Sequence, residues 1–214
     1  MRFNGFRGSL LLLVSIAVNM AAAPAPAPGK EADKDKSAFE VKAALSYPHH
    51  QTSETITIAA EPFETDEQTH EAFGKVNPWR YGVLPVLIVM QNDGPNAIRV
   101  DRMKLIYTLP DQSRVEATPA QDLKYLRGAS EPHGIPGPTG GIKITRPPKN
   151  PLAEWEIEGR AFAAKMIPPG QSASGFVYFQ IAHTSAAASV YISGLENAVT
   201  GKELYYFEIP MSGK

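Results

Sequence analysis

The chain contains no cysteine. That excludes a disulfide framework, a cysteine-ligated zinc or iron–sulfur site and a cysteine nucleophile. It also excludes a lipid-modified N-terminal cysteine as a tether. Net charge is nearly absent too: 21 Lys and Arg stand against 22 Asp and Glu. No broad basic field exists to draw in a nucleic acid or an anionic membrane surface. Long hydrophobic runs are also missing. The apolar stretches Ser9–Val18 and Gly82–Met90 each fall well short of the roughly 20 residues that a spanning helix needs. No internal repeat is visible.

Proline and glycine, by contrast, are plentiful, with 19 and 17 copies in 214 residues. Many turns and few long helices follow. A composition of 43% hydrophobic and 20% charged residues suits one globular domain with a real core. Arg2 and Arg7, the apolar SLLLLVSIAV and the small residues of NMAAAPAPAPG describe a secretory signal peptide over residues 1–22, cut after Ala21 or Ala22. An uncleaved anchor is the alternative. Residues 23–37 read as a spacer, because alternating Ala-Pro favours extended chain and the Lys/Asp/Glu run after it has nothing to bury. Residues 38–214 are expected to form one domain. It would be exported, periplasmic or extracellular, with no stable membrane span after cleavage.

Within that domain the pattern is mostly that of strands. FEVKAAL alternates as a first strand would. ETITIAA puts Ile56 and Ile58 on one face and Thr55 and Thr57 on the other, so a half-buried strand is expected. TDEQTHEAF opens with a Thr-x-x-Gln capping box and predicts a short helix ending near Phe73-Gly74. Gly82–Met90 is rich in β-branched residues and reads as a central strand. Pro85 cannot donate to a ladder, so it marks a strand start, an edge or a bulge. Asn92-Asp93-Gly94-Pro95-Asn96 predicts a hairpin turn. The returning AIRVDRMKLIYTL slips phase at Asp101-Arg102, which calls for a bulge or a break. TPAQDLKYL, with Thr118 as N-cap, predicts a second short helix. WEIE alternates as a strand with Trp155 and Ile157 inward. GRAFAAKMI is ambiguous between strand and helical turn. GFVYFQI, ASVYISG and ELYYFEI read as three more strands. The sum is roughly seven to nine strands. The expected fold is mainly β, an antiparallel immunoglobulin-like β-sandwich with two short helices.

Chemistry-bearing residues are scattered. The five histidines, His49, His50, His70, His133 and His183, form no H-E-x-x-H or H-x-H motif, so no metal or cofactor is expected. GIPGPTGG lacks the Gly-Lys-Ser/Thr ending of a phosphate loop, and its prolines remove the N–H groups that a phosphate needs. Ser172 and Ser174 do not sit in G-x-S-x-G. Glu154, Glu156 and Glu158 share one face if the segment is a strand, as a solvated face would. The aromatics Trp79 and Tyr81 flank Arg80 ahead of the central strand. Residues 128–151 form a long Gly/Pro-rich loop that is either functional or mobile. Together they suggest a binding surface of Trp79, Arg80, Tyr81, His133, Ile135 and Ile142.

Three segments carry a resemblance: GVLPVLIVMQNDGPNAIRV, KNPLAEWEIEGRAFAAKMIPPGQSASGFVYFQI and GKELYYFEIP. They look like a group of short exported bacterial proteins of acidobacterial type, over roughly residues 72–210. The shared motifs belong to strands and turns. The resemblance implies an immunoglobulin-like sandwich and export, and it carries over no functional residue.

The expected function is non-catalytic binding to an envelope protein or surface. A glycan- or peptide-binding module is the second expectation. A metal-dependent hydrolase using His49, His50, His70 or His133 is the third.

Overall fold

The computed structural model describes residues 39–126, 150–153, 155–181 and 187–211, and the backbone of 134–136 and 142–144. The expected signal peptide and spacer fall outside the described residues. Among the described residues no helix is long and apolar enough to cross a membrane.

The strands are β1 (His50–Ser53), β2 (Ile56–Pro62), β3 (Leu84–Asn92), β4 (Ile98–Arg99), β5 (Lys104–Thr108), β6 (Arg114–Glu116), β7 (Gly134–Pro136), β8 (Ile142–Ile144), β9 (Met166–Ile167), β10 (Ser172–Phe179), β11 (Ser189–Ser193), β12 (Glu196–Asn197) and β13 (Phe207–Pro210). Two α-helices, α1 (Asp66–Phe73) and α2 (Trp155–Gly159), and four short 3-10 turns complete the described elements. One sheet runs β1-β2-β3-β10 and a second runs β13-β11-β5-β6. A small sheet, β12-β4-β9, and the two-stranded β7-β8 make up the remaining pairings. Pairing within the sheets is antiparallel throughout.

The two large sheets share one core. Ile58, Val86, Ile88, Met90 and Phe179 of the first meet Tyr107, Val190, Ile192, Phe207 and Ile209 of the second. This is the mainly β, antiparallel sandwich that the strand pattern predicts. The first sheet also buries its other face. Ala59, Leu87, Val89, Phe176 and Tyr178 pack against Phe73 of α1, Ile157 of α2, and Phe63, Leu123 and Leu152. The result is a third, partly helical layer. A strand covered on both faces must be apolar at every position, which is why Gly82–Met90 reads as an unbroken run.

Local sequence explains several of these elements. Thr65 and Gln68 form the expected capping box at α1, and Gly74, at φ 67°, ends the helix. Pro85 lies next to the start of β3. Its carbonyl accepts from the N–H of Phe63, just past the end of β2, so its missing donor faces the end of a neighbouring strand. The break at Asp101-Arg102 separates β4 from β5, which lie in different sheets.

Five expectations need correction. FEVKAAL is not a strand: residues 39–43 are irregular and Ala44–Ser46 is a 3-10 turn. Phe39 instead anchors the segment against the Phe63 and Phe176 rings, at centroid distances of 5.7 and 5.6 Å. β2 is not half-buried, because Thr57 is covered as well and bonds to Thr52 through their hydroxyls at 2.9 Å. The Asn92–Asn96 turn makes no hairpin; it carries the chain from the first sheet into the small one. Buried Asn92 organises this crossing. Its Nδ2 donates to the carbonyls of Asn96, Ile167 and Pro168, and its Oδ1 accepts from Gly94 N–H. A Cβ at Gly94 would lie 2.4 Å from Thr55 Oγ1, so any larger residue there requires the Thr55 side chain to shift. The short helix after Thr118 is present as the 3-10 helix Ala120–Tyr125, but Thr118 does not cap it: Pro119 stands at the N-cap, with no side-chain cap. Thr118 itself bridges to Tyr178, which draws it into the sheet edge. Lastly, WEIE is helix α2: Ile157 is buried but Trp155 is 72% exposed. Five residues are too few for periodicity to separate strand from helix.

Candidate binding surface

Trp79, Arg80 and Tyr81 occupy a 3-10 turn, Pro78–Tyr81. Asn77 Oδ1 accepts from Trp79 N–H, proline opens the turn, and Gly82 closes it at φ 73°. The three side chains do not form one surface. Trp79 packs against the sandwich core, whereas Tyr81 packs against the third layer. Arg80 reaches outward to Asp66, the first residue of α1. Its Nη2 lies 2.5 Å from Oδ2 and its Nε donates to Oδ1 at 3.2 Å. Asn77 Nδ2 also donates to Asp66 Oδ1. The Arg80 hydrogen bond, helped by that of Asn77, holds the Asp66 carboxyl below its ordinary range, and the same contact raises the guanidinium. This arrangement is a clasp between α1 and the entry to β3. A cavity of about 300 Å³ beside it is lined by His70, Lys75, Arg80 and Tyr81.

The other sequence candidates also separate. Ile135 and Ile142 lie on β7 and β8, where Pro136 pairs with Ile142 and Ile135 with Lys143; only the backbone is described there. His133 and His183 lie outside the described residues. His49 Nδ1 contacts the Pro210 carbonyl at 3.1 Å, and His50 Nδ1 the Tyr47 carbonyl at 2.7 Å. His70 is in the last turn of α1. Among the described residues no three of His, Asp and Glu stand together as a metal site would need. Ser172 and Ser174 belong to β10. Glu156 and Glu158 lie on α2, and Glu158 pairs with Lys124 at 3.7 Å. Glu154 is outside the described residues.

The second sheet offers a different surface. Its strands alternate, as strands covered on one face must. Leu105, Tyr107, Val190, Ile192, Phe207 and Ile209 point to the core. Ile106, Thr108, Ser189, Tyr191 and Glu208 point the other way. Register places Tyr191 between Ile106 and Glu208, and Thr108 between Ser189 and Arg114. Tyr206, two residues before Glu208, falls on the same side and stacks on Tyr191 at 5.1 Å and 30°. Tyr206 remains 54% exposed.

This face is concave. A cavity of about 380 Å³ lies over Ile106, Arg114, Tyr191 and Tyr206. Another of about 440 Å³ lies over Leu109, Ser189 and Pro210. Both include Thr108, Gln112 and Glu208, so they form one trough. Ser189 Oγ donates to Glu208 Oε1 at 3.1 Å and orients the carboxylate. Sequence reading misses this site because its parts come from four strands and a turn. The available signal was Tyr191 in ASVYISG and Tyr206 in ELYYFEI, both at outward positions.

No protein-family model matches the chain, and no curated protein does. Several solved structures are similar to it at low identity. One is an uncharacterised β-sandwich protein from Clostridium difficile 630, at 14% identity, covering 85% of this chain and 99% of that one, with a TM-score of 0.30. Another is a secreted protein from Mycobacterium tuberculosis, MPT63, at 11% identity, covering 80% and 99%, with a TM-score of 0.30. A functionally unknown protein from Listeria monocytogenes EGD-e is similar at 12% identity, covering 77% and 82%, with a TM-score of 0.32.

Proposed function

We propose that the protein is an exported binding module of the bacterial cell envelope, and that it engages its partner through the outer face of the second sheet. The observation that carries this reading is the trough with its Tyr191–Tyr206 stack, in which Tyr191 is half-buried and Tyr206 exposed. Tyrosine supplies a large contact area with few rotamers to freeze, and it is enriched at binding surfaces. A layer covers the first sheet's outer face, whereas among the described residues no element lies over the second sheet's trough. Export rests on the N-terminal pattern of charge, apolar run and small residues.

A photo-reactive phenylalanine analogue at Tyr206 tests the reading, with the same group at exposed Tyr125 of the helical layer as control. The full-length gene is expressed in its own host, fractions are separated and cells are irradiated. The expected result is protein in the envelope or medium, with adducts to envelope material from position 206 only. Retention in the cytosol, or equal adducts from both positions, would overturn it.

A further inference from the structure

Resting on that reading of the second sheet, we propose that the trough takes a neutral oligosaccharide. The first reason is the pairing of ring and polar groups. An exposed tyrosine face suits the C–H face of a sugar ring, where dispersion and weak C–H contacts act over a flat area. Around the stack stand Thr108, Gln112, Arg114 and Glu208. A sugar hydroxyl both donates and accepts, and so do Thr and Gln; Arg supplies donors and Glu acceptors.

Charge balance is the second reason. Arg114 faces the trough with Glu208, and Lys104 lies on the outer face with Glu116. Neither sign dominates, so an acidic or basic polymer finds no complementary field. Span is the third. The sheet is four strands wide, or roughly 14 Å at the usual strand spacing, which suits a short chain of sugars better than a single ring.

Gln112 adds a separate observation. It sits in the turn between β5 and β6 at φ 66°. Glycine adopts that conformation freely, and a glutamine there is strained. Strain of this kind gathers at ligand clamps. Here the strained residue is the one that lines both halves of the trough along with Thr108 and Glu208.

An extended peptide fits less well. Strand addition needs a free sheet edge. At one edge of the second sheet, Gln51 Oε1 already accepts the Glu208 N–H at 2.8 Å. At the other edge, β6 is only 3 residues long.

The test uses the full chain purified from its exporting host. It is applied to an array of neutral glucans, mannans, xylans and chitooligosaccharides, with polyuronates as the charged control. The strongest neutral hit is then titrated by calorimetry. Binding to a neutral glycan and none to polyuronates is expected. Tyr206→Ala should weaken binding roughly ten-fold or more. Gln112→Gly should weaken it roughly three- to ten-fold while leaving Tm unchanged or higher. A turn residue with a purely structural role would change Tm alone. No neutral glycan bound, or binding unaffected by both substitutions, overturns the proposal. Capture by a peptide array that Tyr206→Ala abolishes also overturns it, although the binding face itself would stand. If the photo-reactive group at position 206 captures nothing either, the underlying reading fails as well.

Discussion

The two large sheets share a core but differ in what lies behind them. Behind the first sheet is a second apolar cluster, with Phe176 at its centre. Its ring lies 4.6 Å from Phe73, 4.9 Å from Phe63 and 5.6 Å from Phe39. Behind the second sheet is the trough, with two tyrosines and a mixed set of polar groups. The first sheet spends its outer face on stability. Over the outer face of the second, no element is packed among the described residues. The same contrast is written in the strands: β3 buries nearly every residue and β10 buries Gly175 to Phe179 without a break, whereas β5, β11 and β13 alternate.

The largest expected effect that would break this contrast is at Phe176. Phe176→Ala empties the centre of the covered cluster and should destabilise the fold by about 3–5 kcal/mol, read by denaturant unfolding. A loss below about 1 kcal/mol would mean that the third layer contributes little. Tyr178 comes next. Its hydroxyl donates to the Ile157 carbonyl at 2.7 Å and ties α2 to the first sheet. Burial pushes the phenol well above its ordinary range, so it stays a donor at any working pH. Tyr178→Phe should cost about 1–2 kcal/mol and raise hydrogen exchange in α2. On the open face, Tyr191→Thr should change stability by less than about 1 kcal/mol, measured in the same unfolding experiment. A loss as large as that of Phe176→Ala would erase the distinction between the faces.

The smallest effect is a change of slope. Glu61 of β2 is partly buried, and burial raises its pKa above the ordinary 4.5; His49 opposes the rise and Glu64 adds to it. The folded state therefore holds this proton more tightly than the unfolded chain. Its contribution is most favourable at acid pH and declines as pH climbs from 4.5 through the raised value. Glu61→Gln should remove that decline, flattening the stability profile at weakly acid pH and raising stability at neutral pH relative to the parent. An unchanged profile in paired unfolding curves would refute this.

Much of the fold was legible because its signals are local or periodic. The Thr65–Gln68 capping box needs four neighbouring residues, and α1 begins there. The apolar run at β3 reports a strand enclosed on both sides. Failures came where tertiary contacts overrode short patterns. Phe39 is held by rings more than twenty residues away in sequence, and its alternation with Val41 has nothing to do with a ladder. Thr118 looks like a cap, but its N–H goes to the Tyr178 carbonyl at 2.7 Å. The site was harder still. Trp79-Arg80-Tyr81 is contiguous in sequence and splits in space between two cores and a salt bridge. Tyr191 and Tyr206 are separated in sequence and stack in space, because register and not proximity along the chain brings them together.

The contact between Gln51 and Glu208 has a consequence for life at high concentration. A sheet rim with open amides invites a neighbouring copy to dock strand against strand, and from there to form fibres. Here the glutamine side chain of one rim occupies the amide of the facing rim, and His49 lies against the Pro210 carbonyl beside it. The seam is closed from within by side chains, so this side of the molecule gives a neighbouring copy less to template on. For a chain without disulfides, that seal stands in for part of what a covalent staple would do against misassembly.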